Sequence, residues 1–321
     1  MKQLPRVNIA HLPTPIERLA QLSDKLGGPQ IFVKRDDLTG LAFGGNKTRK
    51  LEFLVAEALA GGAKTLITTG AAQSNHCRQT AAAAARYGLD CILILRGQPD
   101  QVHTGNILLD HLFGAQIVWV TQSEPDALLQ HTYHLAREEG KCPYLVPYGG
   151  SNATGAFAYA LAIREMLEQG FHPDRIIFAS SSGGTQAGMV FGSRLFGFKG
   201  QVLGISVDRR QKELCSDVAS LATATANHLG VSEVFTADEI LVDDNYLGGG
   251  YGVMGEQEKE AIHLFARLEG LLLDPVYTGR AGAGLIDLIR KGNFRNNEQL
   301  LFWHTGGTPA LFAQKYQGLV S

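Results

Sequence analysis

Arg175-Ile176-Ile177-Phe178-Ala179-Ser180 runs directly into Ser181-Ser182-Gly183-Gly184-Thr185-Gln186-Ala187-Gly188. The apolar run reads as a strand, and the pattern after the glycines predicts a helix over 185–196. A strand that feeds a helix through a glycine turn is the repeating unit of an open α/β sheet. Backbone N–H groups in such a turn, with the positive end of a helix behind them, make an anion site. The serine and threonine hydroxyls add donors. The turn has no Gly-Lys-Ser/Thr ending and no GxGxxG spacing, which argues against a nucleotide P-loop or a dinucleotide. Taken alone, a plain flexible turn is the other reading.

The same grammar extends in both directions. A helix carrying Leu51, Leu54, Val55, Ala58 and Leu59 on one face precedes a short strand at Thr65–Thr69 and a helix over 75–87. Apolar runs at 91–95, 116–120 and 144–146 predict strands, with helices near 104–113 and 124–139 between them. A helix over 155–168 leads into the strand at 175–180, and 201–207 and 299–303 read as further strands. Strands alternating with helices imply parallel sheets joined by right-handed crossovers, with ligands bound beyond the carboxyl ends of the strands. A chain of 321 residues exceeds one compact core, so two α/β domains or one large lobed unit are expected. The glycine cluster at 148–155 is the junction that the pattern suggests.

Bulk properties narrow the classes. Apolar residues make up 45% and charged residues 19%, enough for a real core and too apolar for disorder. Net charge is −2 with no basic block, so nucleic acid is not the expected partner. No secretory leader and no run of about 18 apolar residues is seen, so a cytoplasmic protein without a membrane partner is expected. The cysteines, Cys77, Cys91, Cys142 and Cys215, are spread without a CxxC pair. They read as buried free thiols, and no metal site is expected.

Five stretches carry candidate chemistry. In Gly44-Gly45-Asn46-Lys47-Thr48-Arg49-Lys50 a lysine follows a two-glycine turn and opens a helix. It is either a solvated cation or an amine held at the floor of a cleft, where it can form an imine. Thr69-Gly70-Ala71-Ala72-Gln73-Ser74-Asn75-His76 places Ser74, Asn75 and His76 at a helix start, where free N–H groups suit a carboxylate. An ordinary cap is the simpler reading of that stretch by itself. Leu273-Asp274-Pro275-Val276-Tyr277-Thr278-Gly279 and Trp303-His304-Thr305-Gly306-Gly307-Thr308 read as strand-end loops that set hydroxyls near glycines. Lys34-Arg35-Asp36-Asp37 reads as a self-compensating charge cluster. An imine-type lysine, a phosphate-type glycine turn and a carboxylate-type helix start together suggest pyridoxal phosphate and an amino acid. A non-catalytic α/β protein that binds an anionic metabolite is the rival from another class.

These motifs, Gly-Gly-Asn-Lys-Thr-Arg-Lys-Leu-Glu, Gln-Ser-Asn-His, Ser-Gly-Gly-Thr-Gln-Ala-Gly, Asp-Pro-Val-Tyr-Thr-Gly and His-Thr-Gly-Gly, occur in order from about Leu12 to the C-terminus. The chain resembles the D-cysteine desulfhydrase and 1-aminocyclopropane-1-carboxylate deaminase family, within the tryptophan-synthase-β-like enzymes of fold type II. The resemblance implies two open parallel-sheet α/β domains with pyridoxal 5'-phosphate in the cleft between them. Residues 1–49 and 161–321 would form the large cofactor domain and 50–160 a small inserted one. A homodimer is implied as well.

By position, the resemblance makes Lys47 the Schiff-base lysine and Lys50 a phosphate contact. Asn75 would bond the phenolic oxygen, and Ser182, Gly183, Gly184 and Thr185 would cradle the phosphate. Ser74, with the amides around Asn75 and His76, would take the substrate carboxylate. Tyr251 and Tyr277 match active-site tyrosines, and Thr278 and Thr305 fall where the ring nitrogen is set. Ring-opening deaminases of this family typically carry Glu and Leu at those last two positions. A threonine supplies no charge there, so the electron sink is weaker and a thiolate suits it better than an unactivated ring. The expectation is a lyase that takes D-cysteine to pyruvate, hydrogen sulfide and ammonium. Lys47 would remove the α-proton, and Tyr277, with Tyr251, would assist the leaving group. Cyclopropane-carboxylate deamination and elimination from substrates such as L-cysteate are the alternatives.

Overall fold

The computed structural model describes residues 2–99, 102–120 and 125–319. The chain opens with β1 (Ile16–Arg18), α1 (Ala20–Leu26), β2 (Gln30–Lys34) and α2 (Asn46–Ala60). Next come β3 (Thr65–Ala71), α3 (Asn75–Arg86), β4 (Asp90–Arg96), α4 (Gly105–Leu112), β5 (Gln116–Val120), α5 (Pro125–Glu138) and β6 (Pro143–Leu145). The predicted first residue of the 124–139 helix, 124, lies outside the described residues. The remainder holds α6 (Ala153–Glu168), β7 (Arg175–Ser180), α7 (Gly184–Phe196), β8 (Gln201–Ser206), α8 (Gln211–His228), β9 (Leu241–Asp243), α9 (Glu256–Glu269), α10 (Thr278–Arg290) and β10 (Gln299–Trp303).

Two open α/β sheets result. One runs in the order β1-β2-β10-β7-β8-β9 and the other β5-β4-β3-β6. Every pairing is parallel except β1 with β2, an antiparallel strand at one edge. The continuous apolar runs are explained by cover on both faces. In β4, Cys91, Leu93 and Leu95 pack beneath α2 and α3, while Ile92 and Ile94 pack on the opposite side with α5. In β7, Ile177 and Ala179 face α9 and α10, and Ile176 and Phe178 face α6. A fully buried residue of this kind contributes roughly 1.5–3 kcal/mol.

Some expectations are corrected. In α2, Leu51, Leu54, Val55 and Ala58 pack on the smaller sheet, but Leu59, at the last turn, is exposed. Cys142 is exposed, unlike Cys77, Cys91 and Cys215. The stretch Leu273–Gly279 follows α9 and opens α10, so it is not a strand end. The division at 160/161 falls inside α6, a continuous helix that packs on the α7–α8 layer and on the larger sheet. The chain passes between the sheets earlier, at Tyr148–Asn152.

Lys34–Asp37 is not self-compensating either. Only Arg35 and Asp37 pair within it, at 2.7 Å. Buried Lys34 pairs with Glu165 of α6 at 2.7 Å. Buried Asp36 takes Arg49 Nε at 3.0 Å and Nη2 at 2.7 Å, Tyr159 at 2.5 Å and Trp303 at 2.7 Å. Arg49 holds the carboxylate of Asp36 well in its ionised form despite burial, and burial without this partner would do the reverse. One carboxylate therefore ties α2, α6 and β10 together, two residues along α2 from Lys47. Among the described residues no helix is long and apolar enough to cross a membrane.

Candidate active site between the two sheets

One cavity lies where the carboxyl ends of β3, β6, β7 and β10 face each other, the position open α/β sheets reserve for ligands. Lys47, Ser74, Asn75, His76, Ser182, Gly183, Thr185, Tyr277 and Thr305 all line it, although they come from five separate segments.

The lysine is placed by a tight backbone crossing. A side chain at Gly44, with φ at 63°, would stand 2.0 Å from the Asp37 carbonyl oxygen. Gly45 N donates to Asp36 O at 2.8 Å, and Asn46 N donates to Thr305 O at 3.0 Å. The start of α2 is thus stitched to the loop after β10. From there the Lys47 amine reaches across the cleft and donates to Gly149 O at 2.9 Å. Lys50, fully buried one turn on, donates to the same oxygen at 3.1 Å. Burial lowers the Lys47 pKa to about 8, and burial together with Lys47 lowers that of Lys50 well below the ordinary lysine value. Among the described residues no carboxylate offsets either shift.

Opposite them, α7 begins at Gly184, and its N-cap residue, Gly183, has no side chain to cap the first N–H groups. Thr185 Oγ1 accepts from Asn46 Nδ2 at 3.1 Å, and Ser182 Oγ shares a 2.8 Å bond with Ser151 Oγ. Gly184 itself does not line the cavity; its N–H donates to Ser151 Oγ at 3.2 Å. Ser181 also lines the cavity, and its hydroxyl donates to Asp208 Oδ2 at 3.0 Å. On the smaller sheet's side Ser74 caps α3, accepting from Cys77 N at 3.2 Å, so its hydroxyl hydrogen stays available. His76 Nε2 lies 2.9 Å from Thr68 Oγ1, and burial with the two lysines keeps the ring neutral.

The remaining expected residues lie one contact away. Tyr251 does not line the cavity, but its hydroxyl lies 2.5 Å from that of Tyr277, which does. Burial raises the pKa of both phenols. Thr305 stands on the wall, whereas Thr278 does not. The Thr278 hydroxyl is held by Asp274, donating to Oδ1 at 2.8 Å and accepting from Asp274 N at 2.8 Å. The start of α10 thus turns its hydroxyl to Asp274, behind Tyr277 on the cavity wall. Residues that the motifs did not single out complete the site. They are Tyr148, Gly149 and Ser151, and behind the wall Arg78, Asn106 and Asp274.

Two amines without an acidic partner among the described residues, facing a glycine-led helix start ringed by hydroxyls, fit a phosphate-bearing aldehyde. Lys47 would meet its carbonyl end, and Lys50, Ser182, Gly183 and Thr185 its phosphate. With two facing α/β sheets around it, this is the frame of a fold type II pyridoxal-phosphate enzyme.

Residues 7–306 match the family described as pyridoxal-phosphate dependent enzyme, and the chain belongs to that family. Among solved structures it is similar to one described as an ACC deaminase homologue, with 38% identity and a TM-score of 0.89 over 99% of this chain and 97% of that one. An L-serine ammonia-lyase from Rhizomucor miehei is 17% identical, with a TM-score of 0.69 over 99% of both chains. A hydrogen sulfide-producing enzyme from Fusobacterium nucleatum is 15% identical, with a TM-score of 0.67 over 94% of this chain and 97% of that one. At those identities the last two speak for the fold alone.

Proposed function

We propose that this enzyme is a lyase that, with one water, converts D-cysteine to pyruvate, hydrogen sulfide and ammonium. The observation that carries the reading is the make-up of the cavity wall: among the described residues no carboxylate lines it, and Thr305 occupies part of it. When bound, pyridoxal phosphate supplies an aldehyde that captures amines and a ring that accepts electron density, more strongly when its nitrogen is protonated. A wall without an acid does not hold that proton, so the reading favours a substrate whose departing group is stable by itself. Hydrosulfide, the conjugate base of a weak acid, meets that need better than a carbon in an unactivated ring.

The chain's own groups divide the work. Ser74 and the first N–H groups of α3 orient the substrate carboxylate. Lys47, with its pKa near 8, is unprotonated often enough at neutral pH to take the α-proton, and it stays oriented by Gly149 O. Tyr277, backed by the Tyr251 hydroxyl at 2.5 Å, donates a proton toward the departing sulfur. Its raised pKa suits it to give a proton rather than to lose one beforehand.

Cyclopropane-carboxylate deamination is the second reading, supported by the 38% identical ACC deaminase homologue. One assay separates the two: sulfide and keto acid measured over D-cysteine, L-cysteine, L-cysteate and 1-aminocyclopropane-1-carboxylate. Pyruvate and sulfide fastest from D-cysteine are expected. Preferential 2-oxobutanoate from the cyclopropane would replace the first reading with the second.

A further inference from the structure

Behind the cavity wall, two polar side chains decide which end of Asn75 faces the cavity. Asn75 Oδ1 accepts from Arg78 Nη1 at 2.7 Å and from Asn106 Nδ2 at 3.0 Å. The orientation of Asn106 is itself settled. Its Nδ2 donates to Gln73 O at 2.8 Å, and its Oδ1 accepts from Arg78 Nη1 at 2.7 Å. Turning the Asn106 amide over would set oxygen against oxygen at Gln73 and N–H against N–H at Arg78. Arg78 has donors only, so the Asn75 oxygen cannot turn toward the cavity without leaving a guanidinium N–H facing an amide N–H. Asn75 Nδ2 has no hydrogen bond among the described residues, and Asn75 lines the cavity.

We infer that Arg78 and Asn106 are positioning residues that make Asn75 a donor-only wall, selective for an ionised oxygen on the bound ring. Both are fully buried, and Arg78 also donates to Gly44 O at 3.0 Å, at the turn that launches Lys47. The same guanidinium therefore sets Asn75 and braces the lysine loop. The inference rests on the binding of pyridoxal phosphate, and it is independent of which amino acid is consumed.

The test uses the purified full chain, with cofactor removed, and two probes. Pyridoxal phosphate presents both a phosphate and a ring oxygen, and inorganic phosphate presents only the first. The variants are Arg78→Lys, Arg78→Met and Asn106→Asp, each checked by thermal melting. Loss of one charge-assisted bond predicts about 10- to 100-fold weaker pyridoxal phosphate binding by equilibrium dialysis, with Arg78→Lys milder than Arg78→Met. For Asn106→Asp, which leaves the Arg78 bond to Gly44 O in place, phosphate affinity should stay within about twofold of wild type. Equal losses for both probes, or none for pyridoxal phosphate, would overturn the lock. Asn106→Asp, which leaves Arg78 in place, decides the matter if the Arg78 variants do not fold. A wild-type holoenzyme that makes no keto acid would sink the lyase reading and leave the lock standing.

Discussion

Lys47 and Lys50, one helical turn apart on α2, give their amines to one carbonyl oxygen, that of Gly149, at 2.9 and 3.1 Å. Burial lowers both amines, the charge of Lys47 lowers Lys50 further, and with no carboxylate beside them among the described residues the pair gives up protons early. Lys47 titrates at about 8 rather than 10.5, and Lys50 is also lowered. Such a pair is expensive in the empty cleft and favourable once an anion sits against it.

Anion binding should therefore take up protons. At pH 8–9 an added phosphate raises both lysine pKa values, so calorimetry with inorganic phosphate in two buffers of different ionisation enthalpy should show net proton uptake. Lys50→Met should remove most of it. It should also stabilise the cofactor-free protein at pH 7 by about 1–3 kcal/mol, because a buried cation without a partner is gone. The pH dependence carries the same sign. A lysine pKa lowered by folding means that the unfolded chain binds more protons between pH 8 and 10.5, so the Lys47 contribution makes stability rise through that window. Proton release on phosphate binding would refute the shared-carbonyl account.

The shared carbonyl depends on a residue with no side chain. Gly149 has φ at 64°, and a Cβ there would stand 2.3 Å from Ser182 Oγ and 2.8 Å from Ser182 Cβ. Gly149→Ala should push the carbonyl off both lysines and weaken pyridoxal phosphate binding at least about tenfold, measured by dialysis. It should cost about 1–3 kcal/mol of stability. Gly62→Ala is the control: its φ is similar, at 73°, but nothing lies within 4 Å of the added carbon. It should cost only the backbone part, about 1 kcal/mol, and leave binding unchanged.

Much of this was legible along the chain, because both the sheets and the anion-binding ends are local devices. The runs at 91–95, 175–180 and 299–303 name strands covered on both faces, and Gly183-Gly184-Thr185 names the helix start that follows one of them. What could not be read is what the topology brings together from far apart. Gly149 lies 102 residues from Lys47, and Arg49 pairs with a carboxylate of a cluster that looked complete in itself. Thr278 shows the same limit over a shorter distance. Its neighbour Tyr277 faces the ligand, but entry into α10 rotates Thr278 toward Asp274, which no spacing rule reveals. Elements such as β9, with three residues, are too short to carry a period.

The tyrosine pair should split by role. Tyr277 lines the cavity and Tyr251 supports it through one 2.5 Å contact. Tyr277→Phe should lower kcat for sulfide release from D-cysteine by about 10²- to 10⁴-fold, the range for loss of a proton donor, with KM nearly unchanged. Tyr251→Phe should have a smaller effect in the same direction. Equal effects, or a change confined to KM, would assign the pair to substrate binding instead.

Asp274 and Thr278 predict a loss of stability rather than of chemistry. The buried Asp274 carboxylate accepts from Val276 N at 2.9 Å, Tyr277 N at 3.0 Å and Thr278 N at 2.7 Å, and also from the Thr278 hydroxyl. These bonds satisfy N–H groups at the start of α10 and set the backbone from which Tyr277 projects. Thr278→Val keeps the shape but leaves Asp274 N and Oδ1 each short of a partner, which should cost about 1–3 kcal/mol in urea unfolding. Thr278→Ser retains both bonds and should cost less. Asp274→Asn must aim an N–H at other N–H groups, so about 2–4 kcal/mol is expected, with kcat falling only as far as Tyr277 is displaced. A Thr278→Val variant with wild-type stability and a changed preference between D-cysteine and the cyclopropane would return Thr278 to the cavity wall.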